Sequence, residues 1–182
     1  MEATTKWAHP GALGLAGFGF NTILLQIHNL GLISGEVPLL YGFFWGGLAQ
    51  VIAGIIDGRR GDTFGLTAFT SYGLFWIGLS FMYMMGALED AQGVAYAFIL
   101  WGIFTAYMTI AAIKVSKLHI FIFATLAILF FLLAAHFFGA LPASIAAVEG
   151  IICGASAVYG SAAVVLQDKF GRWVLPIGIS SS

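Results

Sequence analysis

Charged side chains are scarce in this sequence. Lys, Arg, Asp and Glu together make up 8% of its 182 residues, whereas 60% of the residues are apolar. Soluble domains carry about 25% charged residues, and so few charges cannot cover the surface that a globule of this size exposes to water. The scarcity excludes a water-soluble domain and indicates an integral membrane protein.

Several other features are missing. The single cysteine, Cys153, excludes an intrachain disulfide and a multi-cysteine metal site. Seven Lys and Arg against eight Asp and Glu leave a net charge of −1, so there is no basic surface for nucleic acid. The sequence has no Gly-x-x-x-x-Gly-Lys-Ser/Thr phosphate loop, no His-x-x-x-His pair and no recognisable nucleophile–base series. We expect no enzyme activity, metal or cofactor, which leaves transport across a membrane.

Six long apolar segments lie between clusters of charged residues, proline and glycine. A helix needs about 20 apolar residues to cross the hydrocarbon, and the segments are too long and lack the alternation of β-barrel strands. The sequence therefore predicts an all-α integral membrane protein in which residues 1–182 form one domain of six transmembrane helices. The predicted spans are residues 13–33, 38–56, 64–86, 94–113, 118–138 and 144–166.

The connectors between the spans differ in charge from one side of the membrane to the other. Every Lys and Arg belongs to the N-terminus, the second connector, the fourth connector or the C-terminal tail, whereas the other connectors carry Glu36, Glu89 and Asp90. Loops rich in Lys and Arg are cytoplasmic. The pattern predicts cytoplasmic N- and C-termini, and the short connectors place every function inside the bundle or at its two mouths.

Polar side chains inside the spans concentrate in the first three helices. They face the bundle interior or a water-filled path, although an amide can also simply tie two helices together. The spacing puts Asn21, His28 and Asn29 on one face of the first helix and Gln26 on another. The candidate polar residues of a substrate path are Asn21, His28, Asn29, Gln50, Thr67, Thr70 and Ser71.

Three titratable residues lie near the ends of the last two spans. Glu149 falls inside the sixth span, where its carboxyl group either meets water or, shielded from water, binds a proton. Both interpretations stay open, and Glu149 is the candidate proton site. His119 and His136 lie near the two ends of the fifth span, where we expect them to meet interfacial water.

Four stretches carry recognisable motifs, and together they closely resemble the acetate and succinate transporter family (AceTr, the YaaH/GPR1/FUN34 group). The family's N-terminal motif usually reads Asn-Pro-Ala-Pro-Leu-Gly-Leu; here it is represented by His9, Pro10, Leu13, Gly14 and Leu15, so the first residue differs and the second proline is lost. The four stretches are His9-Pro-Gly-Ala-Leu-Gly-Leu-Ala-Gly-Phe-Gly-Phe-Asn-Thr, Leu25-Gln-Ile-His-Asn29, Gly61-Asp-Thr-Phe-Gly-Leu-Thr-Ala-Phe-Thr-Ser-Tyr-Gly73 and Phe170-Gly-Arg-Trp-Val-Leu-Pro-Ile-Gly178.

The resemblance implies a six-helix protomer with its own pore, assembled as a ring-shaped hexamer in the plasma membrane, which is the inner membrane in a Gram-negative cell. It implies transport of acetate and related small carboxylates, including succinate, by a channel or by a proton symporter. Matching motif positions also imply a narrow hydrophobic constriction made of Phe18, Tyr72 and Leu126. The preferred acid and the direction of transport stay open.

Two other functions remain open at the level of the sequence. A pore without internal cations also suits small neutral polar solutes such as urea or short amides, because a related six-helix hexameric architecture serves that class. A bundle with a closed pore would instead be a structural or sensory protein, although the polar residues of the first and third helices argue against it. With no Lys or Arg in a span, an anion would contact neutral dipoles and helix N-termini.

Overall fold

The structure, a computed structural model, describes residues 7–179. Within that range the chain forms six long helices, and a 3-10 turn, Ala87–Glu89, precedes the fourth. The predicted all-α class is confirmed. The helices are α1 (Gly11–Asn29), α2 (Glu36–Arg59), α3 (Thr63–Met84), α4 (Ala91–Ala112), α5 (Lys117–Phe137) and α6 (Ala143–Phe170).

Five of the helices, α2 to α6, are long and apolar enough to cross a membrane. Helix α1 has 19 residues and is not among them, because Asn21, Gln26, His28 and Asn29 lower its hydropathy. Asn21 and Gln26 are both buried inside the bundle, so the other helices shield these two amides from lipid. The crossing of the membrane by α1 stays a prediction.

The middle of α2 is π-helical over Gly42–Ala49, a feature that no pattern in the sequence predicts. A methyl group added at Gly46 would lie 3.1 Å from the amide nitrogen of Asn21, and one at Gly47 would lie 2.6 Å from Ile77. Side chains of α1 and α3 therefore fill the space that the glycines leave open. π-Helical segments are rare and are found frequently at functional sites.

Helices α1 and α6 cross with their backbones in contact. A methyl group at Gly19 would lie 2.7 Å from the carbonyl oxygen of Gly154, and one at Gly154 would lie 2.8 Å from the carbonyl oxygen of Gly19. Such close approach needs small residues on both helices. The crossing places the buried side of α1, with Leu15 and Phe18, at the centre of the bundle.

Side chains cap several helices at their N-termini. The Asp62 carboxylate accepts the N–H of Gly65 at 3.0 Å at the start of α3, and Asp90 accepts the N–H of Gly93 at 3.0 Å at the start of α4. Each cap satisfies an N–H group that has no partner within its helix. These caps lie in the connectors and fix where α3 and α4 begin.

The C-terminal tail returns to the bundle after α6. Gly171, at φ +66°, ends α6 in a left-handed conformation that glycine adopts without strain. The backbone N–H groups of Lys117 and Leu118 then donate to the carbonyls of Gly178 and Ile177 at 2.9 and 3.0 Å. The tail thereby satisfies the first N–H groups of α5 and lies across the end of the bundle where α1 begins.

Candidate functional site

Two cavities enter the bundle from opposite ends. The tail cavity has a volume of about 230 Å³ and is lined by both ends of the described chain, including His9 and Trp173. The loop cavity has a volume of about 270 Å³ and is lined by residues near the opposite helix ends, including Asn29 and Tyr83. Both ends of the described chain therefore lie at the same end of the bundle.

Three residues line both cavities: Phe18 of α1, Tyr72 of α3 and Leu126 of α5. Their side chains are buried, with exposed fractions of 6%, 3% and 3%. The rings of Phe18 and Tyr72 lie 6.1 Å apart between centroids. The structure thus places the three residues of the expected constriction together, as the wall that separates the cavities.

The hydroxyl group of Tyr72 is held by α4. It lies 2.9 Å from the hydroxyl oxygen of Thr105, and that hydroxyl donates its only proton to the carbonyl of Trp101 at 2.7 Å. Tyr72 must therefore be the donor to Thr105. This bond holds the hydroxyl group of Tyr72 against α4. The part of Tyr72 that belongs to the wall is therefore its aromatic ring.

Replacing Thr105 by valine is expected to destabilise the protein by about 1–3 kcal/mol, because the buried Tyr72 hydroxyl loses its acceptor. Adding Tyr72→Phe removes the unpaired hydroxyl, so the double variant should lose less stability than the sum of the two single variants. Thermal unfolding of the four proteins in detergent measures this coupling. Strictly additive losses would show that the hydrogen bond does not position Tyr72.

The N-terminal motif is divided between the tail cavity and helix packing. His9 and Leu15 line the cavity. Pro10 immediately precedes α1, and Leu13 is exposed on its outer face. Gly14 packs against the ring of Phe69, which leaves no room there for a side chain.

His9 is hydrogen-bonded as an acceptor. Its Nδ1 receives the backbone N–H of Gly11 at 3.0 Å. Partial burial, followed by the positive charge of Arg60, lowers the pKa of His9 below its ordinary value. Both features favour the neutral imidazole at the tail mouth.

Other polar residues also line the tail cavity. The amide of Gln50 is buried and donates to the carbonyl of Gly46 at 2.7 Å. His119 lies beside Ser116, with 2.8 Å between Nδ1 and Oγ, and Asp57 lies 3.9 Å from Arg60. Across residues 7–179, no group of three or more His, Cys, Asp or Glu side chains is placed to hold a metal ion.

The loop cavity has a polar edge along α1. Thr22, Gln26, His28 and Asn29 line it, and the amide of Asn29 donates to Oε1 of Gln26 at 2.9 Å. The expectation that Gln26 faces away from His28 and Asn29 is wrong. Counting at intervals of three and four residues from Phe18 gives Thr22, Gln26 and Asn29, and this is the signal that would have found Gln26.

Four of the predicted polar residues line neither cavity: Asn21, Thr67, Thr70 and Ser71. Asn21 packs against Gly42 and Gly46 of α2, and the hydroxyl of Thr70 packs against Gly54. Both side chains therefore fill contacts between helices. The residues of α3 that line the cavities are Phe64, Gly65, Ala68, Phe69, Tyr72, Phe75, Trp76, Leu79 and Tyr83.

Glu149 also lies away from both cavities. Its two carboxyl oxygens are buried and have no hydrogen-bond partner among the described residues. It lines a shallow groove on the outer surface of α5 and α6 together with Leu132, Ile145 and Val148. The structure therefore puts the candidate proton site beside the candidate path and outside it.

Known proteins resemble this chain over nearly all of its length. The model of the GPR1/FUN34/yaaH family matches residues 2–177. The chain is 43% identical over 187 residues to the succinate-acetate/proton symporter SatP of Escherichia coli (strain K12), an alignment that covers 97% of this chain and 98% of SatP. Acetate permease A of Emericella nidulans is 31% identical over 145 residues, covering 70% of this chain and 49% of the permease. The solved structure of the bacterial acetate channel SatP matches with a TM-score of 0.90 at 44% identity, covering 95% of this chain and 100% of the other.

Proposed function

This chain belongs to the GPR1/FUN34/yaaH family, and we propose that it transports acetate and related small carboxylates, including succinate, across a membrane. It is a multi-pass membrane protein whose named relatives are a symporter, a permease and a channel. The function is therefore transport and not catalysis. The observation that carries the proposal is the pair of cavities that meet at Phe18, Tyr72 and Leu126.

The wall between the two cavities determines which solutes can pass through the protein. Phe18, Tyr72 and Leu126 present apolar surfaces, so a carboxylate crosses the wall without an ion pair, and the gap between these side chains sets the largest solute. Polar groups on either side replace part of the hydration shell, with Gln50 in the tail cavity and Gln26 in the loop cavity. Neutral dipoles bind an anion weakly, which suits rapid passage.

The tail cavity faces the cytoplasm in this proposal. Arg59 and Arg60 of the second connector lie at the tail end of the bundle, as do Lys114 and Lys117 of the fourth, and cytoplasmic loops are enriched in such residues. Each protomer holds its own path, and six protomers form a ring in the plasma membrane, the inner membrane of a Gram-negative cell. The match to the SatP channel over 95% of this chain supports this arrangement.

Uptake of labelled acetate into liposomes that contain the purified protein tests the function. Saturable uptake that succinate and formate inhibit is the expected result, and inhibition by urea alone would favour the channel for small neutral polar solutes. Liposomes without uptake would contradict transport.

An imposed pH gradient separates the two transport modes. Accumulation of acetate against its own gradient identifies a symporter, whereas flux that only follows the electrochemical gradient identifies a channel. In a symporter, Glu149→Gln is expected to abolish accumulation and to leave downhill flux intact. Unchanged accumulation in that variant would remove Glu149 as the proton site.

A further inference from the structure

All four histidines of the sequence line the two cavities, two in each. His9 and His119 belong to the tail cavity, and His28 and His136 belong to the loop cavity. No Lys, Arg, Asp or Glu is among the described residues that line the loop cavity. His28 and His136 thus line one cavity whose described lining carries no other group that can become positively charged.

The two histidines of the loop cavity are held in the same way. Nδ1 of His28 lies 2.9 Å from the carbonyl oxygen of Ile33, and Nδ1 of His136 lies 3.1 Å from the carbonyl oxygen of Leu141. A carbonyl oxygen only accepts hydrogen bonds, so Nδ1 carries the proton in both rings. Nε2 is therefore the nitrogen without a proton in each neutral ring.

Protonation of these rings breaks no hydrogen bond, because Nδ1 is already the donor. Both also stand in the last turn of their helices, α1 and α5, where the carbonyl end of the helix attracts positive charge. His9 is the opposite case, since its Nδ1 accepts from Gly11 and would lose that bond on protonation. The hydrogen bonds of the two loop-cavity histidines are thus compatible with a second ring proton, and that of His9 is not.

We propose that His28 and His136 form a docking site for a small carboxylate anion at the loop end of the path, through their Nε2–H groups in the protonated state. The site rests on the proposed transport function and adds to it the groups that recruit the anion. Imidazole is the side chain that changes charge between pH 5 and 8, so recruitment strengthens as the pH on the loop side falls. Hydrogen bonds from a charged donor to a carboxylate are among the strong ones in proteins.

Acidic groups near the loop end lie outside the cavity lining. Glu36 of α2 is near enough to His28 to interact electrostatically with it, and it accepts a hydrogen bond from Tyr83 of α3 at 3.3 Å. Glu89 and Asp90 precede α4, and Glu149 lies in the outer groove of α5 and α6. None of these four carboxylates lines the loop cavity, so they leave it open to an anion.

Asparagine variants distinguish an anion-binding role of the two histidines from a purely structural one. His28→Asn and His136→Asn keep an N–H donor near the position of Nδ1 and lack Nε2. With acetate supplied from the loop side, the double variant is expected to raise the KM at pH 5.5 by at least about tenfold, because the loss of even one of its two charge-assisted hydrogen bonds has about that effect. At pH 8 the KM of the double variant should match that of the wild type, and kcat should change little at either pH.

Tyr41→Phe, near the loop end of α2 but in the lining of neither cavity, is the control, and we expect it to leave the loop-side KM and its pH dependence as they are in the wild type. A double variant with the pH profile of the wild type would overturn the docking site while transport itself stands. A wild type that takes up no acetate at any pH would instead contradict the proposed function.

Binding can also be observed without transport. In the ¹⁵N-histidine-labelled protein in detergent, acetate added at pH 5.5 is expected to shift the Nε2 signals of His28 and His136. Signals that move only at His9 and His119 would place the anion in the tail cavity and overturn the proposal.

Discussion

Replacing Phe18 by alanine is expected to raise the uptake of butyrate and benzoate, relative to acetate, by at least about tenfold, the discrimination that one or two methylene groups supply in an apolar site. Phe18 is one of three side chains that separate the cavities, and its ring lies 6.1 Å from that of Tyr72. Removing the ring widens the wall at the point that both cavities share. Uptake of the three labelled acids into liposomes measures the ratio, and Leu126→Ala should change it in the same direction.

Phe123→Ala is the control for this experiment. Phe123 is as buried as Phe18, with an exposed fraction of 6% for each, but it lines the tail cavity and not the loop cavity. Both substitutions remove a buried ring, which costs about 3–5 kcal/mol, so thermal stability must be compared before uptake. Unchanged selectivity in Phe18→Ala, or an equal change in Phe123→Ala, would show that Phe18 does not control passage.

Gly154→Ala is expected to lower the melting temperature by about 3–10 °C, because overpacking costs about 1–3 kcal/mol in a chain of this size. The added methyl group would lie 2.8 Å from the carbonyl oxygen of Gly19. That atom belongs to the backbone of α1 and cannot move aside without separating α1 from α6. Thermal unfolding in detergent, followed by circular dichroism, measures the loss.

A Gly→Ala substitution at Gly78 should have the opposite effect on the melting temperature. A methyl group at Gly78, in the interior of α3, meets no atom within 4 Å, and alanine favours a helix over glycine by about 1 kcal/mol. Gly78→Ala is therefore expected to raise the melting temperature slightly. If both variants melted at the same temperature, the contact between α1 and α6 would not be the reason that glycine stands at position 154.

The helical class follows from the sequence because few charges and long apolar segments leave no other way to satisfy the backbone in lipid. The rotation of α1 about its own axis does not follow from the sequence. Periodicity gives the angle between two side chains of a helix, but it does not show which face meets a cavity. Asn21 packs into the space left by Gly42 and Gly46 of α2, and this contact turns Gln26 toward the loop cavity.

The histidine contacts depend on geometry that the sequence does not contain. The bonds from His28 to Ile33 and from His136 to Leu141 form only because the chain turns back after each helix. Side chains of α1 and α3 likewise fill the glycine-lined side of the π-helical part of α2, a contact that no local sequence pattern predicts. Motif similarity placed Phe18 and Tyr72 together at the sequence level because their roles are carried by short local patterns, whereas His136 has no such pattern around it.

The hydrogen bonds of the tail to α5 also determine when the structure becomes complete during biosynthesis. Lys117 and Leu118 donate to Gly178 and Ile177, which leave the ribosome about 60 residues later, or several seconds at ordinary rates of translation. Until then the first turn of α5 has these N–H groups free, and the tail cavity lacks the wall that Ile177 supplies. One mouth of the path is therefore finished only after all six helices have been made.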